Sequence, residues 1–242
     1  MWTRRDLKNR AKEILRLSYW KAFLVSIIIA IAGGSSGAPN FNWNTTNGSG
    51  SPWGADGSMM PEFLLFIILA AVGVGLILAL AFRIFVGYPL EVGGRKYFVQ
   101  AQEDHIDMNY LGYNFEKTRY LDVVKSMFYR AFINFLWYLL LFIPGIIMSY
   151  AYRMVPYILA DNPNIGYKRA LQLSTQMTRG HKFSIFVLDL SFIGWIILGI
   201  LALFVGVLFV MPYVNATNAE LYLVLRHSAL EQGLSTNEEL LL

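Results

Sequence analysis

Apolar and polar positions along this chain fall into long blocks. Residues 22–32, 63–90, 123–160 and 183–214 are almost wholly apolar, and the sequence between them is charged or rich in Gly, Ser and Asn. At about 1.5 Å rise per residue, a straight helix over 123–160 overshoots a hydrocarbon core about 30 Å thick. Two helices folded back at Pro144-Gly145 each nearly fit, so the stretch reads as a hairpin with Pro144 and Gly145 at its external turn. Run 22–32 is short for a crossing. It reaches the needed length if the helix extends back to about Ile14, with Arg16 and Lys21 snorkelling to the interface. Run 63–90 is interrupted only by Arg83, and 183–214 is long enough to split near Gly199.

The connecting segments have patterns of their own. In residues 1–17, Thr3 suits an N-cap, and Leu7, Ala11, Ile14 and Leu15 share one helical face. Arg4, Arg5, Lys8, Arg10, Lys12 and Arg16 cover the remainder, which predicts a basic amphipathic helix lying on an anionic leaflet. A cleaved signal peptide fits poorly, since no small-x-small site is well placed after Ile31. Segment 161–182 is a second amphipathic stretch, with Ala170, Leu171, Leu173 and Met177 on one face. Residues 33–60 read as an irregular external loop, with Trp43 and Trp53 as stray aromatics.

Charge decides the number of crossings. If 123–160 crossed once, Lys117, Arg119 and Lys125 would face one side and Lys168, Arg169, Arg179 and Lys182 the other, against the positive-inside tendency. Folding at Pro144-Gly145 returns both groups to one side, and a split near Gly199 adds Arg226 to them. The expected fold is an all-α polytopic membrane protein with six transmembrane helices in three hairpins, 18–90, 126–160 and 183–225. Segments 91–125 and 161–182, the tail 226–242 and both termini are then cytoplasmic, while 33–60 and the two tight turns hold no Lys or Arg. Composition agrees: 15% of residues are charged, against about 25% in a soluble domain. The absence of Cys excludes disulfides and thiolate chemistry.

The unit is expected to recur in sequence as well as in length. Starts at SYWKAFLVSIII, MFYRAFINFLWY and GHKFSIFVLDLS place a base beside an aromatic or His just before an apolar run. Ends at VGYPLEVGG, RMVPYILAD and VMPYVNATN are built on Pro89, Pro156 and Pro212, each read as a helix kink.

Three charges lie inside apolar runs: Arg83, Arg153 and Asp189. Such charges are functional candidates by default and commonly serve as structural pairs. At helix rise all three fall at a similar depth, so Asp189 is expected to pair with Arg153 or Arg83, either as a structural pair or as part of a polar cavity. Asn134, Asn215 and Asn218 are secondary polar candidates, and Glu91 is expected at the interface. Catalytic, cofactor and metal sites are expected to be absent: no Walker, nucleophile-elbow or HExxH motif is present, and His105 in QEDHIDMN reads as a solvated turn. Basic residues at the membrane edge suit anionic lipid at the cytoplasmic face better than nucleic acid.

The segments LKNRAKEILRLSYWKAFLVS, IPGIIMSYAYRMVPYILADNP and HKFSIFVLDLSFIGWIILGI, with the later PYVNAT, resemble a family of bacterial integral membrane proteins, domain of unknown function 975. The resemblance implies a multi-pass plasma-membrane protein and carries no activity, cofactor or catalytic residue. The expected role is therefore a non-enzymatic scaffold, accessory or envelope-related component, partnered by lipid, by a second copy or by another membrane protein. The alternative is a small-molecule or ion transporter or channel using the Arg/Asp layer.

Overall fold

A computed structural model describes residues 2–33, 62–201 and 205–241. The expected loop 33–60, with its two tryptophans, lies outside the described residues apart from Gly33. Among the described residues the chain is helical throughout, with no strand.

Helix α1 (Arg4–Ile31) starts on Thr3, whose hydroxyl accepts the Asp6 amide, and bends by 107° between its two arms. The bend has a local cause. Ser18 leaves helical geometry (φ −140°), and its hydroxyl donates back to the Ile14 carbonyl, a bond that competes with the helix ladder. Helix α2 (Glu62–Phe82) passes through a π-helical turn (Arg83–Gly87) into α3 (Tyr88–Gln102). Two short 3-10 turns, Met108–Leu111 and Tyr113–Phe115, lead to α4 (Lys117–Leu140). Then follow α5 (Phe142–Ala151), α6 (Val155–Asp161), α7 (Tyr167–Met177), α8 (Lys182–Leu201), α9 (Val205–Glu231) and α10 (Asn237–Leu240).

Among the described residues, three helices are long and apolar enough to cross a membrane: Phe66–Gln102, Phe142–Asp161 and Lys182–Leu201. The two arms of α1 make a fourth if counted as one crossing. Helix α4 falls short because Lys117, Arg119, Asp122, Lys125 and Arg130 occupy its first fourteen residues. Its uncharged arm, 131–140, extends only about 15 Å.

The chain reverses at Leu141, whose extended backbone (φ −157°, ψ 137°) separates α4 from α5. Pro144 and Gly145 lie in the first turn of α5 and not at the reversal. Proline is tolerated there because the first amides of a helix have no partner within it. Gly145 is needed for the packing, since a Cβ there would sit 2.5 Å from Cδ1 of Tyr138 on α4. The prolines also differ in what they do. Pro89 follows the π-helical turn, Pro156 begins α6 after a break at Tyr152–Met154, and α9 runs through Pro212.

Two zones result. In one, α3, α6 and the 212–222 part of α9 pack together, so that the three proline-led segments form the centre. Val155 through Asp161 are all buried, and Tyr157 of α6 stacks on Tyr222 of α9. The second arm of α1 closes on α3, where Gly94 leaves room for Ile29. In the other zone, most large side chains of α2 between Phe66 and Phe82, the 135–143 reversal and much of α8 stand exposed. Apolar surface on this scale is untenable in water, where a monomer rarely leaves more than a few hundred Å² contiguous, and is what lipid requires.

Candidate functional site

Arg153 sits in the break between α5 and α6, and the break follows from Pro156. Lacking an amide proton, Pro156 cannot continue the ladder. Side chains from α7 replace the missing bonds: the Ser174 hydroxyl donates to the Ala151 carbonyl at 2.7 Å and accepts the Met154 amide at 3.2 Å. Held there, Arg153 meets Asp189 of α8 with both ends of its guanidinium. Nη1 donates to Oδ2 at 2.5 Å and Nη2 to Oδ1 at 2.7 Å. Nη2 also donates to Oδ1 of Asn218 on α9 at 2.9 Å, and the Tyr150 hydroxyl donates to Oδ2 of Asp189 at 3.1 Å. A planar fork on a carboxylate is the strongest geometry an ion pair has. This one ties three helices.

Arg83 does not join that pair. It turns toward Glu91, donating from Nη2 to Oε2 at 2.8 Å, while Nη1 donates to the Ala32 carbonyl at the end of α1. Glu91 is 1% exposed, buried among the helices. Two further guanidiniums approach its Oε1, Arg130 at 3.9 Å and Arg95 at 4.0 Å. Arg95 also donates to Oδ1 of Asn215 at 2.8 Å and to the Tyr157 hydroxyl at 3.3 Å. The Asn215 amide in turn donates to the Ser26 hydroxyl at 2.9 Å. Asn134, like Asn114, has its side-chain oxygen buried and without a hydrogen-bond partner.

Arg83, Arg95, Arg130 and Arg153 thus face Glu91 and Asp189, an excess of two positive charges in one layer. Arginine cannot shed that charge by losing its proton. Of the three guanidiniums around Glu91, Arg83 makes the contact at 2.8 Å, and the side chains of Arg83 and Arg130 remain 28% and 23% exposed. The separate reading of Arg83 missed Glu91 and Arg95, although spacings of eight and four residues place all three on one helical face.

A second polar group lies beyond the layer. The Tyr222 hydroxyl and Arg226 both donate to Asp161, and Arg226 reaches Glu103 at 2.6 Å. Further on, Arg169 of α7 holds Glu239 of α10 through Nε and Nη2, docking the tail. Hydrogen bonds from Arg169 and Ser235 hold the Glu239 carboxyl down at about 2.

The basic residues of α1 divide between two faces. Arg10 approaches Glu220 at 3.8 Å, and Arg16 is exposed. Arg4, Arg5, Lys8 and Lys12 turn instead to a groove against α8 and α9, where Lys8 donates to the Ser191 hydroxyl at 2.7 Å. Among the described residues no cluster of three metal-ligating side chains occurs, and His105 is exposed.

Residues 63–229 match the model of a family described as protein of unknown function (DUF975). No curated protein and no solved structure matches the chain.

Proposed function

For this chain, which belongs to the DUF975 family of proteins of unknown function, we propose a non-enzymatic role as an integral component of a bacterial plasma membrane. It serves there as a scaffold or accessory subunit. In this reading the chain crosses the bilayer six times as three hairpins, with both termini in the cytoplasm. The lipid-compatible surface of α2, α5 and α8 supports insertion, and the Lys/Arg bias of the connecting segments supports the orientation.

The observation that carries the role is the Arg153–Asp189 fork. Both carboxylate oxygens accept from Arg153, Asn218 and Tyr150 complete the set, and the two side chains are only 12% and 13% exposed. A charge engaged this fully holds helices together and is poorly placed to exchange a solute. One observation favours a second reading, a small-molecule or ion transporter: the two-charge excess around Glu91 would attract an anion.

Water access separates the two. The chain has no Cys, so Ser26→Cys, a near-isosteric change beside Asn215, gives a single thiol within the network. A closed layer leaves it unreactive to a membrane-impermeant maleimide from either face until the protein is denatured. Reaction from one face in the folded protein would overturn the scaffold reading in favour of transport.

A further inference from the structure

The groove between the first arm of α1 and the α8–α9 pair differs from the rest of the surface in charge and shape. It is an open groove of about 580 Å³, and Thr3, Arg4, Arg5, Lys8, Lys12, Ser191 and Tyr213 are among the residues that line it. Among the described residues none of its four cations meets a carboxylate within ion-pair distance. Lys8 is instead pushed below its usual range by burial and by the neighbouring Arg4 and Lys12 charges. An anion seated in the groove would relieve that repulsion.

The donors suit one kind of anion. Guanidinium forks from Arg4 and Arg5 and ammonium groups from Lys8 and Lys12 match the several oxygens of a phosphate. The position of the groove decides the source. Leu190 and Trp195 flank Ser191 on α8 and are 51% and 54% exposed, so an apolar surface runs directly away from the polar pocket. Tyr213 and Trp195 are the aromatic types found where a headgroup meets its chains.

We propose that this groove is a binding site for one anionic glycerophospholipid, with the phosphate among Arg4, Arg5, Lys8 and Lys12 and the acyl chains along α8. The proposal rests on the membrane reading above and narrows it from diffuse attraction on a basic helix to one lipid in one site. Arg10 and Arg16, on the same helix, lie outside the groove and supply its internal control.

Native mass spectrometry of the full chain, purified in detergent, tests it with added phosphatidylglycerol, phosphatidylcholine and inorganic phosphate. The expected result is one retained phosphatidylglycerol, weak retention of phosphatidylcholine, and no displacement by inorganic phosphate. Lys8→Gln and Lys12→Gln should each reduce retention about fivefold, with Arg16→Gln unchanged. Lys12→Gln stands alone if loss of the Lys8–Ser191 bond disturbs folding. An equal loss in Arg16→Gln would overturn the site in favour of diffuse charge, and displacement by inorganic phosphate would make it a soluble-anion site. Either failure leaves the membrane reading intact, because that reading depends on extraction and topology and not on lipid selectivity.

Discussion

Arg153 grips Asp189 through both terminal guanidinium nitrogens, although the two residues lie 36 positions apart, one in the break before α6 and the other on α8. The pairing depends on a defect in the chain. Pro156 breaks the helix, the break turns Arg153 out of the α5 axis, and Ser174 satisfies the backbone that the break exposes. Removing one partner of a buried pair leaves an uncompensated charge, at about 3–5 kcal/mol. Replacing both partners removes that penalty.

Glu91 should be as sensitive to neutralisation as Asp189. Glu91→Gln leaves Arg83, Arg95 and Arg130 with no counter-charge, and is expected to destabilise by about 3–5 kcal/mol, read as a lowered unfolding temperature in detergent. Arg130→Gln should cost little by itself, because it lowers the excess charge. Combined with Glu91→Gln it should recover part of the loss. An additive double variant would mean that Arg130 and Glu91 are not coupled.

The contact of α1 with α3 gives a steric prediction. A Cβ at Gly94 would overlap the side chain of Ile29. Gly94→Ala is therefore expected to destabilise by about 1–3 kcal/mol through overpacking, and Ile29→Ala in the same chain should relieve it. If Gly94→Ala melts like the parent, the two helices are not packed this closely.

Acid should release the tail. Glu239 is held at about 2 in the folded protein, below its ordinary value of 4.5. A depressed carboxylate contributes stability that is full above its unfolded value and disappears as pH falls through the folded one. A spin label on Glu238→Cys should thus gain mobility as pH drops from about 4.5 towards 2. Glu239→Gln should be mobile across the whole range, and a label that stays immobile in that variant would show that Arg169 does not dock the tail.

Crossing number has its own test. With six crossings, Phe142→Cys beside the reversal reacts with an impermeant maleimide from outside the cell, whereas Asp104→Cys and Gln232→Cys react only after permeabilisation. The 131–140 arm is short, at about 15 Å, so this hairpin is the demanding case. An inaccessible Phe142→Cys would make it re-entrant.

What was legible in the sequence follows from the range over which each interaction acts. Helical spacing picked out Leu7, Ala11, Ile14 and Leu15 on α1 and Ala170, Leu171, Leu173 and Met177 on α7, and all of these are buried except Ile14, which is half-buried. The reversal was misplaced by three residues because Pro-Gly is a strong turn signal, while the first turn of a helix accepts proline equally well. Arg83 was weighed against Asp189 because both lie in apolar runs, yet its partner stands two turns along its own helix. The Ser26–Asn215–Arg95 chain joins residues up to 189 positions apart, a separation that helical period does not cover. The groove at Lys8 needed the 107° bend of α1, which rests on the geometry of Ser18 and its bond to Ile14.

The most direct measurement is the thermal stability and detergent-extracted yield of Asp189→Asn, of Arg153→Asp, and of the charge swap carrying Arg153→Asp with Asp189→Arg. If the fork holds the hairpins together, each single change lowers both quantities, by about 3–5 kcal/mol in stability, and the swap restores part of the loss. An Asp189→Asn protein with the parent's yield and melting temperature would contradict the structural role of the pair.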